Sequence, residues 1–216
     1  MRKYSTIPVH LQAAGIWVNG HLFLPDFPHA IVIVALGNEP VEGNSRLQVL
    51  VKGLLQNGYA VCCTDLLSAD EENLYSNQFC IRLHAARVSV LTQWIINRAN
   101  EPVLPVLYFS YRLGAPAALL AASGNKAVAG IVCYSGRQEQ VLDQLKKILQ
   151  PVLLVYGRED SIAFSLCQES CAAIGGIAEM QSVSGKGQMA NTPMDELMQV
   201  TLHWFNACIH KIPKYA

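Results

Sequence analysis

The sequence predicts an α/β protein, a doubly wound and mostly parallel sheet opened by an N-terminal antiparallel hairpin, and three observations predict it. Apolar runs of strand length recur along the chain: Ala30 to Leu36, Tyr59 to Thr64, Val106 to Phe109, Val128 to Cys133, Val152 to Tyr156 and the less apolar Ile177 to Val183. Continuous Val/Ile/Leu strands, rather than alternating ones, belong to sheets buried on both faces. The segments between them carry helical spacing, which makes the chain a βα repeat. Trp17 to Leu24 alternates around Asn19-Gly20, a dipeptide favoured in two-residue hairpin turns.

The helices are expected over Ser45 to Gln56, Phe79 to Arg98, Leu113 to Ala122, Gln138 to Leu149, Ile162 to Ile174 and Asp195 to His210. Gly58, Gly124 and Gly175 stand where helices stop. No linker, repeat or low-complexity block divides the chain, so residues 1–216 read as one domain.

A composition of 51% hydrophobic and 15% charged residues over 216 positions suits a compact domain and excludes a disordered tail, a coiled coil or a collagenous rod. Lys plus Arg (16) balances Asp plus Glu (16), so no long-range field draws the protein onto nucleic acid or an anionic membrane. The N-terminal residues lack the apolar core of a signal peptide, and no run spans a bilayer; a cytoplasmic location is expected. Seven cysteines, three of them (Cys62, Cys63, Cys133) inside strand-like runs, read as reduced core thiols.

A doubly wound sheet places its site at the carboxyl ends of its strands. After Val106 to Phe109 the chain reads Ser110-Tyr111-Arg112-Leu113-Gly114-Ala115, a strand, a tight turn and a small-residue helix. That is the setting of a nucleophile elbow, where small residues two before and two after the nucleophile let helix and strand approach. Ser110 and Gly114 are those residues, yet Arg112 lies between them, and a guanidinium that stays protonated is no nucleophile.

With these stations the chain resembles the α/β-hydrolase superfamily, in particular its dienelactone-hydrolase-like branch. The likeness runs over nearly the whole chain: Ala35-Leu36-Gly37-Asn38, Thr64-Asp65-Leu66-Leu67, the elbow at Arg112, Gly157-Arg158-Glu159-Asp160, Gly185-Lys186-Gly187-Gln188 and His203-Trp204-Phe205. The resemblance implies the α/β-hydrolase fold and puts Asp160 at the position of the triad acid. It puts Gln188 at the position of the triad histidine, and an amide cannot accept a proton in the useful pH range. The oxyanion loop, His-Gly in the family, is Leu36-Gly37 here. Triad members act as a unit, so hydrolysis by the family mechanism is not expected.

Plainer roles compete with each of these readings. Arg112 can be a surface cation at the mouth of a decayed cleft, or it can fill the old pocket and pair with Asp160 or Glu159. Asp160 suits the cap of the helix that starts near Ile162. Gln188 can be an ordinary loop amide, and Asp65 a loop hydrogen bonder. Cys167 and Cys171 have the i, i+4 spacing of two ligands, but no second pair completes a zinc site, so no metal is assigned. None of the six histidines follows a strand end at the site, and Gly185-Lys186-Gly187 lacks the P-loop spacing.

The expectation is therefore a hydrolase-fold protein that has lost its catalytic machinery and acts by binding, without a cofactor. The partner is a small ligand in the residual cleft or another protein; nucleic acid and membrane are not expected. Arg112, Lys186 and the amino end of the helix near Leu113 favour an anion, a carboxylate or phosphate oriented by Gln188, with Leu36 and Gly37 beside it. The competing expectation is a small-ester or lactone hydrolase using Cys133, Ser110 or Ser135.

Overall fold

The computed structural model describes residues 3–37, 43–98, 104–188 and 191–211; Asn38, one station of the resemblance, lies outside them. Eight strands form one sheet: β1 (Tyr4–Ala13), β2 (Ile16–Pro25), β3 (Ile31–Ala35), β4 (Ala60–Thr64), β5 (Val106–Tyr111), β6 (Val128–Tyr134), β7 (Val152–Gly157) and β8 (Ala178–Val183). Their spatial order is β1-β2-β4-β3-β5-β6-β7-β8. The β1–β2 and β2–β4 pairs are antiparallel and the others parallel. The order reverses at β3, which has β4 on one side and β5 on the other, and this switch point is where such a sheet opens a crevice.

The main helices are α1 (Ser45–Gln56), α4 (Ile81–Arg98), α5 (Gly114–Ala122), α7 (Ser161–Ala173) and α8 (Met194–Lys211). Short turns of helix form α2 (Ala69–Glu72), α3 (Tyr75–Gln78) and α6 (Leu142–Leu145). Alternate residues of the strands face opposite layers. Ile31, Ile33 and Tyr108 pack with Val88 and Leu91 of α4 and Ala118 of α5. Val32, Val34 and Phe109 pack with Leu47 and Leu50 of α1 and Phe205 of α8. Both faces are thus buried, as the continuous apolar strands require. No described helix is long and apolar enough to cross a membrane.

The hairpin is present, but its turn differs from the expectation. The chain reverses at Ala14 (φ 48°) and Gly15 (φ 89°), while Asn19 and Gly20 lie inside β2. Gly20 serves close approach instead: a Cβ there would stand 2.2 Å from the Cys63 carbonyl oxygen across the β2–β4 pair. The helix expected over Gln138 to Leu149 is a 3₁₀ turn, Gln138–Val141, followed by α6. Gln138, Val141, Leu145 and Ile148 are buried at helix-like intervals, so the periodicity is real although the backbone breaks at Val141 (φ −128°). Gly58 (φ 83°) and Gly124 (φ 75°) adopt the left-handed conformation of helix stops. Gly175 does not; a Cβ there would meet the Lys146 carbonyl oxygen at 2.2 Å.

The segment between β4 and α4 holds α2 and α3. Ser68 and Glu71 make a capping box at the start of α2, and Glu71 also grips Arg87 of α4 through two contacts of 2.8 and 2.7 Å. Arg87 is fully buried and donates further to the Leu66 carbonyl at 2.5 Å and, at 3.5 Å, to that of Ala14 in the hairpin turn. One guanidinium therefore ties this segment and the hairpin to α4.

Candidate functional site at the strand ends

The chain turns sharply after β5. Arg112 takes a left-handed conformation (φ 49°), which costs a residue with a Cβ about 1–2 kcal/mol. Its N–H donates to the Tyr134 carbonyl (3.3 Å), and its own carbonyl accepts from Ala115 (3.2 Å) and Arg137 (3.3 Å). Gly114 opens α5 against the end of β3. Gly37 (φ 69°) fits the same junction, where an added Cβ would lie 2.9 Å from the Gly114 nitrogen. Ser110 is buried and donates to the Val132 carbonyl (2.9 Å) and to Cys133 Sγ (3.4 Å). The elbow is present as a backbone shape, with an arginine at its tip.

Two neighbouring loops close on the same place. Ser135, just past β6, is also left-handed (φ 44°), and its hydroxyl donates to the Gly187 carbonyl at 2.5 Å. A Cβ on Gly157, at the end of β7, would stand 2.0 Å from the Gly187 nitrogen. This contact presses the Gly185 to Gly187 turn onto β7 and leaves Lys186 and Gln188 exposed at the rim. The turn is anchored beyond by Thr192, whose hydroxyl meets that of Tyr134 and donates to the Gln188 carbonyl at 3.1 Å. Arg46 of α1 donates to the Thr192 carbonyl at 2.5 Å. On the outer side Glu196 accepts from the Ser184 N–H at 2.8 Å and lies 3.5 Å from Arg158, and that backbone bond, first of all, holds its carboxyl below the usual range.

These elements surround a cleft of about 620 Å³, lined among the described residues by Asn44, Arg46, Tyr111, Arg112, Ser135, Arg137, Asp160, Lys186, Gly187 and Gln188. Arg112, Asp160, Lys186 and Gln188, carried by the loops after β5, β7 and β8, come together here. The Arg112 guanidinium lies 6.0 Å from the centre of the Tyr111 ring. Asp160 caps α7, with Oδ1 accepting from the Ala163 N–H at 2.9 Å. Leu36 and Leu113 are buried beside the cleft rather than on its wall, and Gly37 lies at the β3–α5 junction.

Arg46, Arg137 and Asn44 are cleft residues that the sequence did not single out, whereas Ser135 and Tyr111 already stood in it as a candidate nucleophile and as part of the elbow. Arg137 follows the end of β6, and Asn44 and Arg46 open the helix after β3, so the strand-end rule extended to every loop points to them. Among the described residues the lining holds four cationic side chains, one carboxylate and no histidine. Arg137 also pairs with Glu139 at 2.6 Å.

The thiols and hydroxyls weighed as replacement nucleophiles differ in access. Cys133 is fully buried, and burial, above all, pushes its thiol up to about 12. Ser110 is equally buried, while Ser135 reaches the cleft wall. Cys167 is buried, takes a hydrogen bond from Gln138 (3.4 Å), and is likewise pushed by burial to about 12. Among the described residues no three His, Cys, Asp or Glu side chains are grouped to hold a metal.

No family model matches the chain. Over 200 residues, 91% of its length, it is 31% identical to a Mycobacterium tuberculosis protein of strains CDC 1551 and H37Rv that bears the name "Putative phosphoribosyl transferase". The match takes in 45% of that protein, so the chain spans about half the length of the curated relatives it matches. Among solved structures, dienelactone hydrolase from Anabaena variabilis superposes with a TM-score of 0.87 at 24% identity, covering 95% of this chain and 98% of that one. Est1E from Butyrivibrio proteoclasticus superposes with a TM-score of 0.76 at 12% identity, over 94% and 99% of the two chains. A cold-adapted esterase from an Arctic intertidal metagenomic library gives 0.77 at 14% identity, over 96% of each chain. The chain has the α/β-hydrolase fold, and its structural neighbours include dienelactone hydrolase.

Proposed function

We propose that this protein is a hydrolase-fold binding protein, a pseudoenzyme whose strand-end cleft takes an anionic small molecule. The observation that carries the reading is the occupant of the elbow. Arg112 holds the strained turn that a hydrolase keeps for its nucleophile, and it faces the same cleft as Arg46, Arg137 and Lys186, with Asp160 as the one carboxylate of the described lining. A guanidinium offers no electron pair at any working pH, but it binds oxyanions through paired N–H donors. Gln188 supplies an amide where a general base would stand. The name of the Mycobacterium tuberculosis relatives agrees with an anion, since a phosphoribosyl group is a sugar phosphate. The match covers less than half of those proteins, so transfer of that group is not carried over to this chain.

The competing reading, a small-ester or lactone hydrolase with an unusual nucleophile, is favoured by one residue only. Ser135 is strained and lines the cleft, although its hydroxyl is committed to the Gly187 carbonyl. Two measurements separate the readings. Purified protein is expected to hydrolyse p-nitrophenyl acetate and simple lactones no faster than an inert protein control, and turnover abolished by Ser135→Ala would establish the hydrolase instead. In a thermal-shift screen, a bound anion raises stability by about 2.7 kcal/mol at one hundred times its dissociation constant. No shift with any carboxylate, sulfate or phosphate would refute the binding reading.

A further inference from the structure

The lining of the cleft carries more than a general preference for anions, and we infer that its ligand class is a phosphate monoester, bound as the dianion. This inference rests on the anion-binding reading and sharpens it. The cations reach the cleft from separate elements: Arg46 from α1, Arg112 from the turn after β5, Arg137 from the loop after β6 and Lys186 from the turn after β8. A carboxylate presents two oxygens in one plane, whereas a phosphate monoester presents three terminal oxygens in a tetrahedral spread. Donors arriving from several sides match the second shape. The Arg46 contact within the protein is to a neutral carbonyl, that of Thr192, which orients the guanidinium without cancelling its charge.

The surrounding backbone has the same polarity. Asn44 caps α1, Leu113 opens α5 beside Arg112, and Asp160 caps α7, so three helices of nine or more residues begin at or beside the cleft. None of the three has an acidic side chain in its first turn. Helix amino ends add partial positive charge to that of the side chains. A volume of about 620 Å³ exceeds what a bare phosphate fills and leaves room for the organic part of an ester.

The histidine-free lining supplies the test. Histidine is the side chain whose ordinary titration falls between pH 5 and 8. With none among the described lining residues, a pH-dependent affinity in that range reports the ligand. A phosphate monoester gains its second charge near pH 6. If the dianion is the bound form, calorimetric titration with glycerol 2-phosphate gives about tenfold tighter binding at pH 7.5 than at pH 5. Sulfate, a tetrahedral dianion throughout, binds equally at both pH values, and malonate at pH 7.5 binds more weakly than either. Lys186→Ala, at an exposed position, weakens glycerol 2-phosphate and sulfate while leaving the melting temperature of the ligand-free protein in place. A pH-independent affinity for glycerol 2-phosphate, or tighter binding of malonate, would overturn the phosphate assignment and leave the anion site standing. No binding of any of the three would refute the anion site itself.

Discussion

A methyl group placed on Gly114 would stand 1.9 Å from the carbonyl oxygen of Ala35. The first turn of α5 and the end of β3 meet there backbone to backbone, and Gly37 completes the junction from the other side. The elbow therefore keeps its shape for packing reasons that do not depend on what occupies position 112. Gly114→Ala forces this junction apart, and the expected loss is about 3 kcal/mol, the upper part of the range for overpacked sites. Urea unfolding measures it as a lower midpoint at unchanged slope. An unchanged midpoint would show that the two elements are not in contact in solution.

The left-handed turn at Arg112 has a separate cost, which a pair of variants isolates. Arg112→Ala and Arg112→Gly both remove the guanidinium and its contacts, but only alanine keeps a Cβ in the strained conformation (φ 49°). Glycine occupies this region freely, so Arg112→Gly is expected to be more stable than Arg112→Ala by about 1 kcal/mol. Equal stability of the two, or a more stable alanine variant, would mean that the turn relaxes once the side chain is gone.

The architecture was legible because burial on both faces leaves continuous apolar strands, and those strands fall within two residues of their expected ends. The hairpin turn was misread because Asn-Gly suits a turn by propensity, whereas here tertiary contact decides: Gly20 is needed where β2 passes the Cys63 carbonyl, and Ala14-Gly15 makes the reversal. Arg112, Asp160, Lys186 and Gln188 were legible as cleft residues because each follows a strand in the expected order. Arg46 was not, since it lies within a helix whose apolar positions drew the attention, and its link to Thr192 joins residues far apart in the chain. The Arg87 clasp was hidden for the same reason: a charged residue on a long helix reads as solvent-facing until the Leu66 and Ala14 carbonyls are seen against it.

The cysteines separate by access. Cys80 and Cys171 are partly exposed, while Cys62, Cys63, Cys133, Cys167 and Cys208 are buried. Thiolate is the reacting form, and burial raises the Cys133 thiol to about 12. Iodoacetamide on the native protein is expected to modify Cys80 first and to leave Cys133 unmodified until urea unfolds the chain, as read by peptide mass spectrometry. Rapid stoichiometric labelling of Cys133 in the folded protein would restore it as a nucleophile.

Acid stability turns on His84. The ring is fully buried in α4 near Arg87, and burial first, then the Arg87 charge, lowers its titration from 6.5 to about 4, against a smaller opposing pull from a backbone hydrogen bond at Asn77. The folded state thus holds the neutral ring while the unfolded chain takes up a proton already near pH 6.5. Between those two values the unfolded state binds more protons, so stability is complete above pH 6.5 and falls as pH drops toward 4. The shift corresponds to a loss on the order of 3 kcal/mol across the window. Glu71 acts lower down. Its hydrogen bonds to Arg87 depress its carboxyl, so its contribution is present above about pH 4.3 and lost only below that. His84→Leu removes the group without leaving a donor unpaired, and its unfolding midpoint is expected to change little between pH 7.5 and 4.5 while the parent protein declines. A parent protein equally stable at both pH values, or a variant that declines in parallel with it, would show that His84 is solvated or protonated in the fold.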